Sequence, residues 1–325
     1  MTLKSRIIGC GLYVPERVLT NEDLEGMVDT SDEWITTRTG IKERRIVSGE
    51  RAVELATGAA RMALKEAGLK PKDVELVVVG TVTPDNIFPS TACLVQAELG
   101  MKSGIPAFDV AAACSGFLYA LDVADRYIKT GAVKTALVIG VDVFSRIIDW
   151  KDRATCVLFG DGAGAVVLRQ TRGKSGILSS HIHSDGRYWE MLYTPGALNE
   201  SPFEKKSPHK PFLKMKGNET FRMAVKTMGE AIKEAMKKNR LSPKNIALVI
   251  PHQANIRIIN AIKDRLGMDT ARVFSNIERY GNTSSASIPI ALYEALHSGR
   301  IKRGDVILLV AFGGGFTWGA TVLRW

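Results

Sequence analysis

The chain has 325 residues, 45% hydrophobic and 24% charged, with 44 Lys+Arg against 34 Asp+Glu and a formal net charge of +10. This composition excludes disorder and collagen-like repeats, and the length suits about two domains at ~150 residues each. The longest clean apolar run, 306–312, falls far short of the ~18 residues of a membrane helix, so no membrane partner is expected. The positive excess instead asks for an acidic partner, with nucleic acid, a phosphorylated cofactor and an acidic protein all open.

In chain order, Lys4 and Arg6 before an apolar stretch over 7–14 faintly imitate a signal peptide. A small-residue cleavage site is missing and Pro15 follows directly, so a first strand is expected. Periodicity then predicts a helix over 52–68, a strand over 74–80, a helix over 91–99 and a strand over 107–110. A helix over 115–129, a strand over 136–141 and two close strands through Cys156 and Ala165 follow. The second half reads as a helix over 218–238, a strand over 246–250, a helix over 255–266 and a strand over 272–274. A helix over 284–296 and strands over 305–311 and 316–323 complete it. The least structured segment, 184–211, holds Pro195, Pro202, Pro208 and Pro211 and is expected to be a flap or cover loop.

Three echoes align the halves: Val74-Glu-Leu-Val-Val-Val-Gly with Ile246-Ala-Leu-Val-Ile-Pro, Gly131-Ala-Val-Lys with Gly299-Arg-Ile-Lys, and Gly164-Ala-Val-Val-Leu with Gly319-Ala-Thr-Val-Leu. Their common order and similar offsets make a duplicated α/β unit with mixed, helix-covered sheets the preferred reading. The division falls at residues 1–170 and 171–325.

Four cysteines, Cys10, Cys93, Cys114 and Cys156, show no C-x-x-C spacing. A chain with its own core needs no disulfides, so a cytoplasmic location is expected. Cys10 and Cys156 lie in strand-like runs and Cys93 in a helix, as buried structural thiols. Cys114 sits where an apolar strand ends and a helix begins, with Phe117, Leu121, Ala124 and Ile128 on one helix face. The helix N-terminus is expected to lower its pKa; a buried thiol in a tight corner is the alternative. His252 follows an apolar strand, where α/β folds place their sites. Asn282 lies in a small polar turn, Tyr280-Gly-Asn-Thr-Ser-Ser-Ala-Ser, which ordinary cap chemistry also explains. His181 and His183 alternate along a strand, but no third metal ligand lies nearby and an ordinary strand face is expected. No metal site is predicted.

Cys114, His252 and Asn282 are a competent set for acyl transfer through a thioester. A cysteine protease uses the same residue types, but its local C-G-[SA]-C-[WY] signature is missing.

Ala111-Ala-Ala-Cys-Ser-Gly-Phe, Pro251-His-Gln-Ala-Asn, Gly281-Asn-Thr-Ser-Ser-Ala-Ser and Ala311-Phe-Gly-Gly-Gly-Phe-Thr-Trp-Gly occur in this order. With Asp29-Thr-Ser-Asp-Glu-Trp-Ile-Thr-Thr-Arg-Thr-Gly-Ile and Phe159-Gly-Asp-Gly-Ala-Gly-Ala, they resemble the β-ketoacyl-acyl-carrier-protein synthase III family, the initiating condensing enzymes of type II fatty acid synthesis. The resemblance runs through nearly the whole chain. It implies a thiolase-like fold, a duplicated α/β unit with mixed sheets layered α-β-α-β-α. It also implies condensation of acetyl-CoA with malonyl-acyl carrier protein through acyl-Cys114. Coenzyme A would be part of a substrate, and no cofactor is implied. His252 and Asn282 would stabilise the enolate, with the oxyanion hole at the N–H groups of Cys114 and Gly314. Trp34 and Arg153 would sandwich the adenine, with Thr30 and Arg38 nearby. Asn218 and Asn255 would line the pantetheine tunnel, and Phe312 would sit over the nucleophile. Arg222, Arg257, Lys263 and Arg265 would dock the acidic carrier protein, although Asp264 interrupts that basic helix. Phe88 would reach across a homodimer into the partner's acyl pocket. A sibling acyltransferase taking a branched or longer primer or serving secondary metabolism, and a non-catalytic thioester-binding protein, are the alternatives. No nucleic-acid motif accompanies the basic bias, so no nucleic-acid partner is expected.

Overall fold

The computed structural model describes residues 3–196, 203 and 212–325. Its first sheet contains Lys4–Tyr13 (β1), Leu76–Gly80 (β2), Ala107–Val110 (β3), Thr135–Val143 (β4) and Asp161–Thr171 (β5), in the order β1-β5-β4-β2-β3. The second contains Gly176–Ser184 (β6), Leu248–Pro251 (β7), Val306–Gly313 (β8) and Thr317–Arg324 (β9), in the order β7-β8-β9-β6. Read from β1 or from β6, each sheet makes two antiparallel pairings and then a parallel one. The repeated topology is what the three sequence echoes trace. Gly131 and Gly299, paired in one of them, both take positive φ, 80° and 73°, just beyond a helix end. Glycine adopts that left-handed turn without the Cβ clash other residues meet.

The principal helices are Asp32–Thr39 (α1), Ala52–Glu66 (α2), Thr91–Glu98 (α3), Gly116–Lys129 (α4), Gly217–Lys238 (α5), Ile256–Leu266 (α6) and Ser287–His297 (α7). Phe117, Leu121, Ala124 and Ile128 of α4 pack with Ile288, Ala291 and Leu292 of α7 in one core. That core joins Val78, Val138 and Val166 of the first sheet to Ile250, Ile307 and Leu309 of the second. Because side chains alternate along a strand, Val77, Val79 and Ile139 face the other way, against α2. Leu308 and Val310 likewise face the layer that holds α5 and α6. The result is the expected α-β-α-β-α layering. Each large apolar side chain buried there contributes about 1.5–3 kcal/mol, and the middle layer is shared by both sheets.

Some sequence expectations need correction. The strand over 272–274 reduces to one parallel bridge, Val249 to Val273, after a short 3-10 turn at Thr270–Arg272. The Gln253 side chain occupies the flanking backbone groups, donating to the Phe274 carbonyl and accepting from the Asn276 N–H. Cys156 belongs to a helical turn, Arg153–Cys156, capped by Asp152, and not to a strand. Cys93 is only partly buried, while Cys10, Cys114 and Cys156 are buried, and all four are free thiols. The segment from 184 is more regular than a loop: a 3-10 run at Gly186–Met191 leads into Leu192–Tyr193, which pairs with Lys214–Met215. The remainder of the expected flap beyond residue 196, apart from Phe203, lies outside the described residues. Among the described residues, no helix is long and apolar enough to cross a membrane.

Candidate active site

Cys114 lies between β3 and α4, in a 3-10 turn at Ala113–Ser115, and is 6% exposed. Ala113 is held at φ 45° and Ser284 at φ 51°. A non-glycine residue in this region is strained, and such strain gathers at functional sites. Gly313, at the end of β8, approaches so closely that a Cβ there would meet the Cys114 nitrogen at 2.7 Å. The run of glycines therefore brings the β8–β9 connection against the cysteine. Ser115 Oγ donates to the Thr317 carbonyl at 3.0 Å and Thr317 Oγ1 to the Ala112 carbonyl at 2.9 Å, holding the two segments together.

The expected thiolate is corrected by the electrostatics. Burial pushes the Cys114 thiol up to about 12, opposed only in part by the nearby Ser284 hydroxyl, and the buried Asp142 carboxylate adds to the rise. A thiol this deep is neutral at rest, because burial penalises the charged thiolate.

His252 follows β7 and is 3% exposed. Its Nδ1 lies 2.5 Å from Ser287 Oγ, the first residue of α7. Ser287 Oγ also accepts the Gln253 N–H at 3.4 Å. The Nδ1 contact fits either tautomer; assigned with the hydroxyl donating to Nδ1, it leaves the imidazole proton on Nε2. Burial pushes the His252 pKa down to about 3, so the ring is neutral.

Asn282 is fixed by its backbone, which donates to the Leu158 carbonyl and accepts from the Gly160 N–H. Its Oδ1 accepts the Ser284 N–H at 2.8 Å. That contact assigns the amide orientation and leaves Nδ2 as the free donor.

Cys114, His252 and Asn282 line one cavity of about 620 Å³, together with Phe312, Gly314, Asn218 and Asn255. Phe312 packs on Phe316 at 4.6 Å between centroids. Asn255 caps α6 through Oδ1 to the Arg257 N–H. The cavity runs outward to Trp34 and Arg38. Here α1 is capped by Ser31, and the guanidiniums of Arg38 and Arg153 each lie 4.9 Å from the Trp34 ring centroid. Arg153 also donates to the Asp29 carbonyl at 2.6 Å. At this separation no third plane fits between Trp34 and Arg153, so an aromatic guest requires Arg153 to swing out. Thr30 lies just before this helix with its Oγ1 buried and unpartnered, and it does not line the cavity.

The basic rim divides. Arg222 is exposed on α5, and Arg257 lies over the Phe221 ring. Lys263 pairs with Asp264 at 3.4 Å, and Arg265 donates to the Val225 carbonyl while lying against Gly229. Phe88, 84% exposed beside Ile87 at 67%, stands away from the cavity on the β2–α3 connection. His181 and His183 both bind Glu234 of α5, at 3.1 and 2.6 Å. Among the described residues no group of three His, Cys, Asp or Glu is placed to hold a metal.

Sequence reasoning missed Ser287, which it read as part of a turn. It also missed Asp142, whose carboxylate is buried beneath the site and accepts from Thr81, Val82, Thr83 and Ser285. A lone carboxylate inside the apolar strand Val-Ile-Gly-Val-Asp-Val was the available signal.

Residues 108–186 match the family model described as 3-oxoacyl-[acyl-carrier-protein (ACP)] synthase III, and residues 236–325 match its C-terminal counterpart. A β-ketoacyl-[acyl-carrier-protein] synthase III of Rhodospirillum centenum is 54% identical over 330 residues, covering 100% of both chains. The crystal structure of 3-oxoacyl-[acyl-carrier-protein] synthase III from Aquifex aeolicus VF5 superposes with a TM-score of 0.93 at 52% identity, covering 99% of this chain and 100% of that one. The priming β-ketosynthase of the R1128 polyketide biosynthetic pathway superposes with a TM-score of 0.92 at 35% identity, covering 98% and 96%. With more than half of its residues identical over the full length of such relatives, the chain belongs to the β-ketoacyl-[acyl-carrier-protein] synthase III family.

Proposed function

We propose that this condensing acyltransferase joins acetyl-CoA to malonyl-acyl carrier protein, giving acetoacetyl-acyl carrier protein, coenzyme A and CO₂, and so initiates fatty acid synthesis. The observation that carries the reading is the convergence of Cys114, His252 and Asn282 in one cavity that opens toward Trp34 and Arg38. Cys114 Sγ attacks the acetyl thioester, and its proton leaves with the coenzyme A thiolate. The N–H groups of Cys114 and Gly314 receive the oxyanion; such a donor is typically worth about 3–4 kcal/mol. After coenzyme A departs, the malonyl thioester enters and loses CO₂. His252 Nε2–H and Asn282 Nδ2–H donate to its oxygen as enolate charge develops. The enolate carbon attacks acetyl-Cys114, and the expelled sulfur takes up a proton from solvent. A neutral imidazole suits this role, because it donates a hydrogen bond without surrendering a full proton.

Coenzyme A enters as part of the substrate. Its adenine stacks at Trp34 with Arg38 and Arg153, and its pantetheine passes Asn218 and Asn255 beneath Phe312; Thr30 supports the α1 entrance. Arg222 and Arg257 meet the acidic carrier protein, with Lys263 and Arg265 joining only if their present contacts open. The edge strand β3 and the exposed Ile87 and Phe88 form the homodimer face, Phe88 reaching the partner's acyl pocket. Residues 1–170 supply the nucleophile and residues 171–325 the enolate-stabilising pair. Cytoplasmic action follows from this metabolic role.

The 35% identity to the priming β-ketosynthase of a polyketide pathway supports a second reading, a sibling acyltransferase of secondary metabolism, for which we infer a branched or longer acyl-CoA primer. Intact mass spectrometry separates the two. Acetyl-CoA alone should leave one acetyl group on Cys114, discharged by malonyl-acyl carrier protein. An adduct only with a longer or branched acyl-CoA selects the second reading, and no adduct with any thioester rejects both.

A further inference from the structure

A second concavity, of about 530 Å³, lies at the seam of the two sheets and is lined by Arg6, Arg169, Arg303 and Arg324. Its walls come from the start of β1, the ends of β5 and β9 and the start of β6. Catalytic residues sit at the other end of the β8–β9 hairpin, around Gly313 to Thr317. The seam is tight: at Gly176, φ 127°, a Cβ would meet the Ser5 carbonyl at 2.5 Å.

Arg6 and Arg169 face each other directly in the β1–β5 register. Like charges so placed repel, which disfavours the pairing unless something neutralises them. Arg6, Arg169 and Arg303 are exposed, and among the described residues their side chains make no hydrogen bond or ion pair. Arg324 donates to the Gly304 carbonyl. The one side-chain carboxylate in the wall, Glu66, accepts the Cys10 N–H at 2.9 Å through one oxygen and faces His297 Nε2 at 3.8 Å through the other. Ile7, Ile177, Leu323 and Trp325 complete the wall. Four arginines against one side-chain carboxylate leave the concavity a positive excess that suits a ligand with more than one negative charge, and phosphate oxygens match the planar donor pairs of its three unpaired guanidiniums.

We propose that this seam pocket binds a small polyanion carrying two or more phosphate groups, at a site separate from the catalytic tunnel. The assignment does not depend on the catalytic reading.

Titration calorimetry of the full chain with inorganic triphosphate at low salt tests it. One molecule should bind, with affinity falling as salt rises. Arg6→Gln and Arg169→Gln should each weaken binding tenfold or more, whereas Arg153→Gln, at the tunnel mouth, should leave it unchanged. Without ligand, the thermal midpoint of Arg169→Gln should equal or exceed that of the parent chain, because one of two facing charges is gone. That measurement separates lost binding from lost folding. ATP in place of triphosphate identifies the source of the phosphate chain: tighter binding supports a nucleotide, and equal binding supports a free oligophosphate. No binding by the parent chain would overturn the assignment. So would loss in Arg153→Gln alone, or equal affinity for mono- and triphosphate that ignores all three substitutions.

Discussion

Ser287 Oγ lies 2.5 Å from His252 Nδ1 and accepts the Gln253 N–H on its other side. We assign this hydroxyl as the donor to Nδ1, which selects the imidazole tautomer protonated on Nε2. Ser287→Ala removes this selection without touching the substrate. The rate of CO₂ release from malonyl-acyl carrier protein should fall roughly tenfold, less than the ~10²–10³ of losing a direct donor. Acetylation of Cys114, followed by intact mass, should persist. Equal loss of both half-reactions would contradict a tautomer role.

Asn282 offers a sharper substitution. Its Oδ1 already accepts from the Ser284 N–H, so Asn282→Asp keeps that contact and replaces the Nδ2 donor with an oxygen. An oxygen there repels a developing enolate, and decarboxylation should drop by about 10²–10³ while the fold persists. Full decarboxylation in this variant would remove Asn282 from the enolate site.

The opposed shifts of His252 and Cys114 set the pH behaviour. In the native chain His252 stays neutral down to about 3, whereas an unfolded histidine takes up a proton near 6.5. The unfolded state therefore binds more protons between these values, and stability falls as pH drops through that window. The denaturant midpoint should show this loss, and His252→Asn should flatten it. Decarboxylation should show no imidazole limb between about pH 8 and 5. Acylation behaves differently, because the Cys114 thiol titrates at about 12. Its rate should climb with pH and show no plateau below about pH 9, as the thiolate is the nucleophile. A plateau near neutrality would indicate a preformed thiolate.

The positions of most strands were legible because buried strands read as unbroken apolar runs, and the echoes fall on equivalent positions of the two halves; the order of strands within each sheet was not. Gly131 and Gly299 betray the repeat for a backbone reason, since both need positive φ. The site's principal side chains were legible as residue types in motifs. Their electrostatics were not: position at a helix start suggested a lowered Cys114 pKa, whereas burial, helped by Asp142, raises it. Long-range partners were hidden too. Asp142 reaches Ser285 across the sequence, and Gln253 replaces a strand neighbour at Phe274 and Asn276. No periodicity records such contacts.

At the tunnel mouth, Trp34 carries both Arg38 and Arg153 at 4.9 Å. Trp34→Ala removes the stacking surface for an adenine, and alanine substitutions at such sites cost about 1–3 kcal/mol per base. The KM for acetyl-CoA should rise roughly 5- to 150-fold on that basis, with the decarboxylation rate unchanged. Arg153→Ala should cost less, since opening the slot no longer requires breaking its contact with the Asp29 carbonyl. A change confined to kcat would place the adenine elsewhere.

Gly313 tests how closely the β8–β9 connection must approach the nucleophile. A Cβ at this position would lie 2.7 Å from the Cys114 nitrogen and 3.0 Å from the Ser115 nitrogen, both backbone atoms that cannot rotate away. Gly313→Ala therefore separates the connection carrying Gly314 from the turn carrying Cys114. Displacements of about 1 Å in a reacting geometry can cost 10²-fold. Acetylation should fall by about that factor, since both oxyanion donors lie across the widened gap. CO₂ release should fall less, because His252 and Asn282 are held by Ser287 and Ser284. Equal loss in both half-reactions, with an unchanged thermal midpoint, would show that the connection also positions the enolate pair.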